Sequence, residues 1–357
     1  MRCVLSLASC LLLLSASAGR ADKLVLVAGG GDGPDGTEAP KAKLIQPFGV
    51  DFTHPPDSRI FIVEMAKGER LRAISWKGEL LTLAGTEGKK GNDDGDSAKA
   101  TFNGMHSLAV GPDDNVYLAD TWNNRVRVLA RGKVSAFAGT GEKGFSGDGG
   151  PAKDAKFGGC FCVSFDPDKK YLYITDLDNK RIRKVDMATK IVTTVAGNGQ
   201  KGVPKDGADA TGQPLVDPRA HAVDKDGNIW ILERGGHALR VVDAKGKIRT
   251  VAGTGKAGAG VGKGLEAALN GPKHLCIDRD GSVLIADTEN HRIVRFNPKD
   301  GTIALVAGTG KKGKTLGAGD PLKADFNQPH GVIVHPKTGD IYISDASNGR
   351  VLKIVRE

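Results

Sequence analysis

The chain has 357 residues, and its 50 glycines are about twice the ordinary share of ~7%. There is no Gly-X-Y period, which excludes collagen, and 39% of residues are apolar and recur in short dense runs, which excludes wholesale disorder. The formal net charge of +9 comes from lysines spread along the whole chain with no aromatic-interleaved stripe. This argues against nucleic acid and for solubility, with a mild preference for anionic ligands or surfaces.

Residues 1–21 read as a signal peptide. Arg2 supplies a positive start, residues 4–14 are mostly apolar, and Ala16-Ser17-Ala18 is a small-residue cleavage site. The run is too short to span a bilayer, and no second long apolar run follows. The expectation is an exported protein, periplasmic or extracellular, without a transmembrane segment. Residues 22–357 then form a single domain. Cys3 and Cys10 leave with the signal. Cys160, Cys162 and Cys276 remain, an odd set on apolar strands, and read as buried thiols rather than a disulfide framework.

From Val27 onward one unit repeats. An apolar residue precedes Ala-Gly six times, and Ala28, Ala84, Ala138, Ala196, Ala252 and Ala307 lie 54–58 residues apart. A short apolar run ending in an acid keeps step, at Glu64, Asp120, Asp176, Glu233, Asp287 and Asp345. Asn-x-Arg plus an aliphatic residue follows at Asn123, Asn179, Asn290 and Asn348. Each unit predicts four short strands, which in the second unit fall at 107–110, 115–119, 125–129 and 133–138. β-Branched residues fill them and Gly, Asn, Asp and Pro punctuate them. Four antiparallel strands per ~55 residues, repeated, is the pattern of propeller blades. The last unit lacks its fourth strand, and residues 23–28 are a lone fourth-strand sequence. The expected fold is therefore all-β: a six-bladed β-propeller of four-stranded antiparallel blades, with the N-terminal strand closing the last blade.

These motifs resemble NHL-repeat six-bladed propellers over about residues 23–357. The stretch from Ala138-Gly139-Thr140-Gly141 to Gly149-Gly150-Pro151-Ala152 is especially similar to the teneurin type. The resemblance is specific for fold and nearly silent on function.

Three apparent motifs are products of the repeat. Gly308 to Thr315 fits a phosphate-binding loop, but Gly317, Gly319 and Pro321 forbid the helix that chemistry requires. Gly139-Thr140-Gly141-Glu142-Lys143-Gly144 fits a dinucleotide fingerprint without a βαβ unit. The acidic run Asn92-Asp93-Asp94-Gly95-Asp96 hints at Ca²⁺, yet lacks the spaced Glu of an EF-hand and reads as an Asx-rich turn. The recurring Asp and Arg read as strand-end staples: Asp120–Arg125, Asp176–Arg181, Asp287–Arg292 and Asp345–Arg350. Glu64 and Glu233 break this pattern in opposite blades and are candidate ligand-binding residues.

In a repeating scaffold the exceptions carry function. Aligned on the channel-lining first strand, one position reads Phe48, His106, Phe161, Arg219, Lys273, His330. The next is small except for His274, and the third is aliphatic except for His221. Arg219, Lys273 and His274 suit a carboxylate or phosphate. His106, His221 and His330, on alternate blades, are the candidate metal set, for Zn²⁺ or Ca²⁺. Met105-His106-Ser107 and Gln328-Pro329-His330-Gly331 also resemble the zinc-binding contexts of peptidyl-amidoglycolate lyase propellers. Arg219 stands where a third such histidine would sit, and no candidate for that family's catalytic tyrosine is visible. The leading expectation is a monomeric binding scaffold for a protein, glycan or small anionic ligand at the central funnel, with no cofactor required. The alternative is a metal-dependent lyase or lactone hydrolase.

Overall fold

The computed structural model describes residues 22–54 and 58–356; the signal segment, with Cys3 and Cys10, lies outside them. Six antiparallel sheets stand around a central axis. The first strands, which line that axis, are Pro47–Phe52, Met105–Val110, Cys160–Phe165, Pro218–Val223, His274–Ile277 and Pro329–Val334. Each blade then runs outward through three more strands, as in blade 3 with Tyr171–Asp176, Arg181–Asp186 and Val192–Ala196. Second strands are covered on both sides by the neighbouring blades. Outer strands alternate between buried and open residues, as Lys133–Ala138 does. Blades 2 and 5 add a two-residue outer strand, Gly95–Asp96 and Gly262–Lys263.

The ring closes as the sequence predicts. Lys23–Gly29 pairs antiparallel with Arg350–Val355, from Lys23 opposite Val355 to Gly29 opposite Arg350. This completes blade 6 and leaves the ring without a seam for edge pairing. The core lies between blades, not within one. Tyr117 and Ala119 of blade 2 pack on Val163, Leu172 and Ile174 of blade 3. Ala28 and Val351 of blade 6 pack on Ile62 of blade 1. Helical structure among the described residues is confined to three-residue 3₁₀ turns, and no helix there is long and apolar enough to cross a membrane.

The Ala-Gly signature has a steric cause. In all six copies the glycine has φ between +75° and +97°, a region L-residues rarely adopt. A Cβ there would strike backbone of the turn between second and third strands, such as the Lys180 carbonyl oxygen beside Gly197. Gly197→Ala is expected to lower stability by about 2–4 kcal/mol, read from urea denaturation midpoints. An unchanged midpoint would refute the packing argument.

The six acids do one job. Asp120, Asp176, Asp287 and Asp345 accept the backbone N–H of Asn103, Gly158, Asn270 and Asn327 at 2.7–2.8 Å. Glu64 and Glu233 do the same for Ile45 and Val216 at 2.6 Å. Their arginine partners vary. Asp287–Arg292 and Asp345–Arg350 form as expected, at 2.8 and 2.7 Å. In blades 2 and 3 the staple is instead Asp120–Arg127 and Asp176–Arg183, both at 3.3 Å or less. Arg125 and Arg181 reach loop carbonyls instead, at Asn92 and Asn198. The side chain two residues further along the third strand points the same way, so both spacings serve.

Candidate functional site

The first strands enter the channel through β-bulges. Register shifts fall between Met105 and Ser107, Cys160 and Cys162, Pro218 and Ala220, and Pro329 and Gly331. Blade 1 shifts between Pro47 and Val50. The extra residues are His106, Phe161, Arg219 and His330, with Phe48 in blade 1. A bulge re-aims its side chain, and these five meet across the axis. Phe48 stacks on His330 with ring centroids 3.7 Å apart and meets His106 at 5.3 Å. His106 packs on Phe161 at 4.6 Å. The Arg219 guanidinium lies 4.4 Å over the Phe161 ring and donates from Nη2 to His330 Nε2 at 3.0 Å. The result is a plug of aromatic rings and one cation across the upper channel.

Arg219 is the anomaly of this layer. It is 3% exposed, and its side chain, which carries five N–H donors, makes that single hydrogen bond. Among the described residues no carboxylate reaches it, and its Nε is buried without a partner. Burial, then the nearby Arg234, depress its pKa from 12.5 to about 9, so it remains charged at neutral pH. The other mouth cations are neutralised: Arg234 by Asp217 at 2.8 Å and Lys273 by Glu289 at 2.9 Å. Trp122, 43% exposed, stands edge-on to His106 at 5.7 Å. It falls in a stretch that reads only as a turn, and its ring packs on Gly104.

The expected metal set does not converge. His106 Nδ1 faces the Gly104 carbonyl and the Thr121 hydroxyl, both at 2.9 Å. A carbonyl only accepts, so Nδ1 carries the proton. His330 Nε2 accepts from Arg219. His221 lies two residues beyond Arg219, in a lower layer, with Nδ1 2.8 Å from Thr175 Oγ1. Among the described residues no three His, Cys, Asp or Glu side chains converge as a metal site. The guanidinium held against His330 would repel a divalent cation. The donor set therefore does not fit Zn²⁺ or Ca²⁺ here. The Asn92–Asp96 turn is no better suited, since Asp94 is paired to Arg127.

Glu64 and Glu233 are fully buried and ion-paired, to Arg70 and Arg240 at 2.6 Å. They lie in the blade interior, each accepting three hydrogen bonds, out of reach of a ligand in the channel. The three thiols are free, with Cys160 and Cys162 buried and Cys276 half-buried.

Below the plug the channel widens into a cavity of about 370 Å³ lined by His221, His274, Asp51 and Lys169. Burial pulls His221 from 6.5 to about 3 and His274 to about 4. His106 and His330 are also pushed well below the usual range by burial and by Arg219. Both cavity imidazoles are thus expected to remain neutral at pH 5, read from ring ¹⁵N shifts. Imidazolium signals from His221 or His274 at that pH would contradict their burial. The unfolded chain binds these protons first, so their contribution to stability is complete above pH 6.5 and is lost as pH falls toward 4 and then 3.

The NHL repeat family model matches residues 102–129, 269–296 and 326–354. Each match covers the first three strands of one blade, in blades 2, 5 and 6. The chain is a six-bladed β-propeller that carries NHL repeats. A relative is Suppressor of Quenching 1, chloroplastic, of Arabidopsis thaliana, 26% identical over 286 residues, covering 76% of this chain and 27% of that protein. Teneurin-3 of Mus musculus is 29% identical over 160 residues, covering 42% of this chain and 6% of that one. The NHL propeller thus spans about a third or less of the curated relatives it matches. A solved structure, an auxiliary nutrient binding protein from Bacteroides thetaiotaomicron, superposes with a TM-score of 0.67 at 15% identity, covering 93% of this chain and 76% of that one. At that identity the likeness is one of fold.

Proposed function

We propose that this propeller is a binding scaffold that takes a small anionic ligand, of the carboxylate class, at the upper mouth of its channel. The observation that carries the reading is Arg219. A buried guanidinium without a carboxylate is unfavourable by several kcal/mol, and a bound carboxylate relieves that penalty through bidentate hydrogen bonds. Trp122, partly exposed and edge-on to His106 of the plug, sets an optical reporter against this layer. With Lys273 and Arg234 already paired to carboxylates, Arg219 is the cation left for an anion at the mouth. The solved neighbour described as a nutrient binding protein supports a binding role on this fold. Export would put this scaffold outside the cytoplasm, which the apolar residues 4–14 and Ala16-Ser17-Ala18 support.

Titration with glucuronate, gluconate and citrate tests it, with tryptophan emission as the signal. At least one should saturate the signal with one site per chain, and the change should vanish in Trp122→Phe. No saturable response to any of the three would overturn the carboxylate reading.

A further inference from the structure

We infer that the lower cavity is a second and separate binding site, for a small, largely apolar molecule carrying a hydroxyl group. The plug of Phe48, His106, Phe161, Arg219 and His330 divides it from the mouth above. It opens near the turn Asp166 to Lys169, at the opposite end of the channel. Its volume of about 370 Å³ falls in the range of small-molecule pockets.

Two features define the ligand. Most of the wall is aliphatic or aromatic, from residues such as Val50, Leu108, Val163, Phe165, Leu275 and Ile277. Polar groups are few and mostly engaged. Asp51 accepts backbone N–H groups from Val110 at 2.7 Å and Phe52 at 2.8 Å. Lys169 donates to the Val110 carbonyl at 2.7 Å and sits 2.6 Å from His54 Nε2. His221 is different. It is 1% exposed and lines the cavity, yet its Nε2 has no partner, and neither has the nearby Ser164 hydroxyl. A buried polar atom left unpaired destabilises the fold by about 1–3 kcal/mol, so the cavity is shaped to supply one.

A hydroxyl is the group that fits. Thr175 Oγ1 can donate to His221 Nδ1 or accept from it, so Nε2 is a donor in one tautomer and an acceptor in the other. Only a group that both donates and accepts satisfies either case. A charged head group is disfavoured, because Lys169 is held by the Val110 carbonyl and His54, and Asp51 by two backbone N–H groups, leaving neutral imidazoles and aliphatic walls to meet it.

Benzyl alcohol and toluene are the probes, on the full folded protein, with the His221 ring resonances as readout. Benzyl alcohol should shift them saturably and bind about 5–10-fold more tightly than toluene, the worth of one hydrogen bond. Ala222→Phe, which fills the cavity, should abolish both. His221→Leu should abolish the preference while both probes still bind. Arg219→Met should leave the alcohol's affinity unchanged, which keeps this site distinct from the mouth. Equal affinity for toluene and benzyl alcohol on the unaltered chain would overturn the inference whatever the variants do. So would the absence of a saturable response up to about 20 mM, well above a millimolar dissociation constant.

Discussion

Arg219→Met is expected to raise the melting temperature of the ligand-free propeller and to weaken its affinity for carboxylates. Both effects come from one buried charge. Its pKa falls from 12.5 to about 9, and each unit is worth 1.36 kcal/mol between the protonation states. The fold thus loses about 5 kcal/mol by keeping this group charged. The sign follows from its being a base held below its unfolded value. The penalty is complete below pH 9 and lifts only as pH rises toward 12.5, so it acts in full at pH 7. Methionine has similar length and no charge. It forfeits the contact with Phe161, about 1–2 kcal/mol, and the bond to His330, about 1–2 kcal/mol. A net gain of about 1–3 kcal/mol remains, or about 2–4 °C by scanning calorimetry. The same change should weaken carboxylate binding by about 100-fold, within the 2–5 kcal/mol reported by truncating one partner of a buried charge pair. A variant that is both less stable and equally able to bind would show Arg219 to be a structural residue, and the mouth reading would fall.

The fold was legible because a propeller writes its geometry into every repeat. Ala28-Gly29 and its five copies mark the corner where only glycine fits. The odd half-unit at residues 23–28 announces the closure. The site was legible only in outline. Aligning six first strands singled out Phe48, His106, Phe161, Arg219, Lys273 and His330, since these break a repeated position. Alignment did not show that His221 and His274 serve a different layer. One residue along a strand changes the face and two change the depth, so residues adjacent in sequence fall on either side of the plug. Glu64 and Glu233 looked exceptional for a related reason. A glutamate differs from an aspartate in sequence, yet its extra methylene still delivers a carboxylate to the same backbone N–H. Asp51 and Lys169 gave no signal, because they come from different blades and meet only across the channel floor.

The arginine staples offer the sharper test of sequence against structure. The repeat pattern assigns Asp176 to Arg181, whereas the fold assigns it to Arg183. Arg183 is fully buried. It donates to Asp176 at 3.3 Å, to Asp148 at 2.8 and 3.0 Å and to the Ser146 carbonyl at 3.1 Å. It also lies 5.2 Å over Phe157. Arg183→Met strands the Asp176 carboxylate in the blade interior and should lower stability by about 3–5 kcal/mol. Arg181 holds two loop carbonyls and stacks on Phe145, so Arg181→Met should cost about 1–2 kcal/mol. The pH dependence separates the two further. Burial already raises Asp176 from 3.8 to about 6, and loss of Arg183 raises it more. An acid whose folded pKa exceeds its unfolded value is destabilising above that pKa, and the penalty shrinks as pH falls toward 3.8. The Arg183→Met deficit should therefore be largest near pH 8 and diminish toward pH 5, while the Arg181→Met deficit varies less over the same range. Denaturant midpoints at the two pH values decide the matter. A larger, pH-dependent loss from Arg181→Met would restore the pairing that the repeat alone suggests.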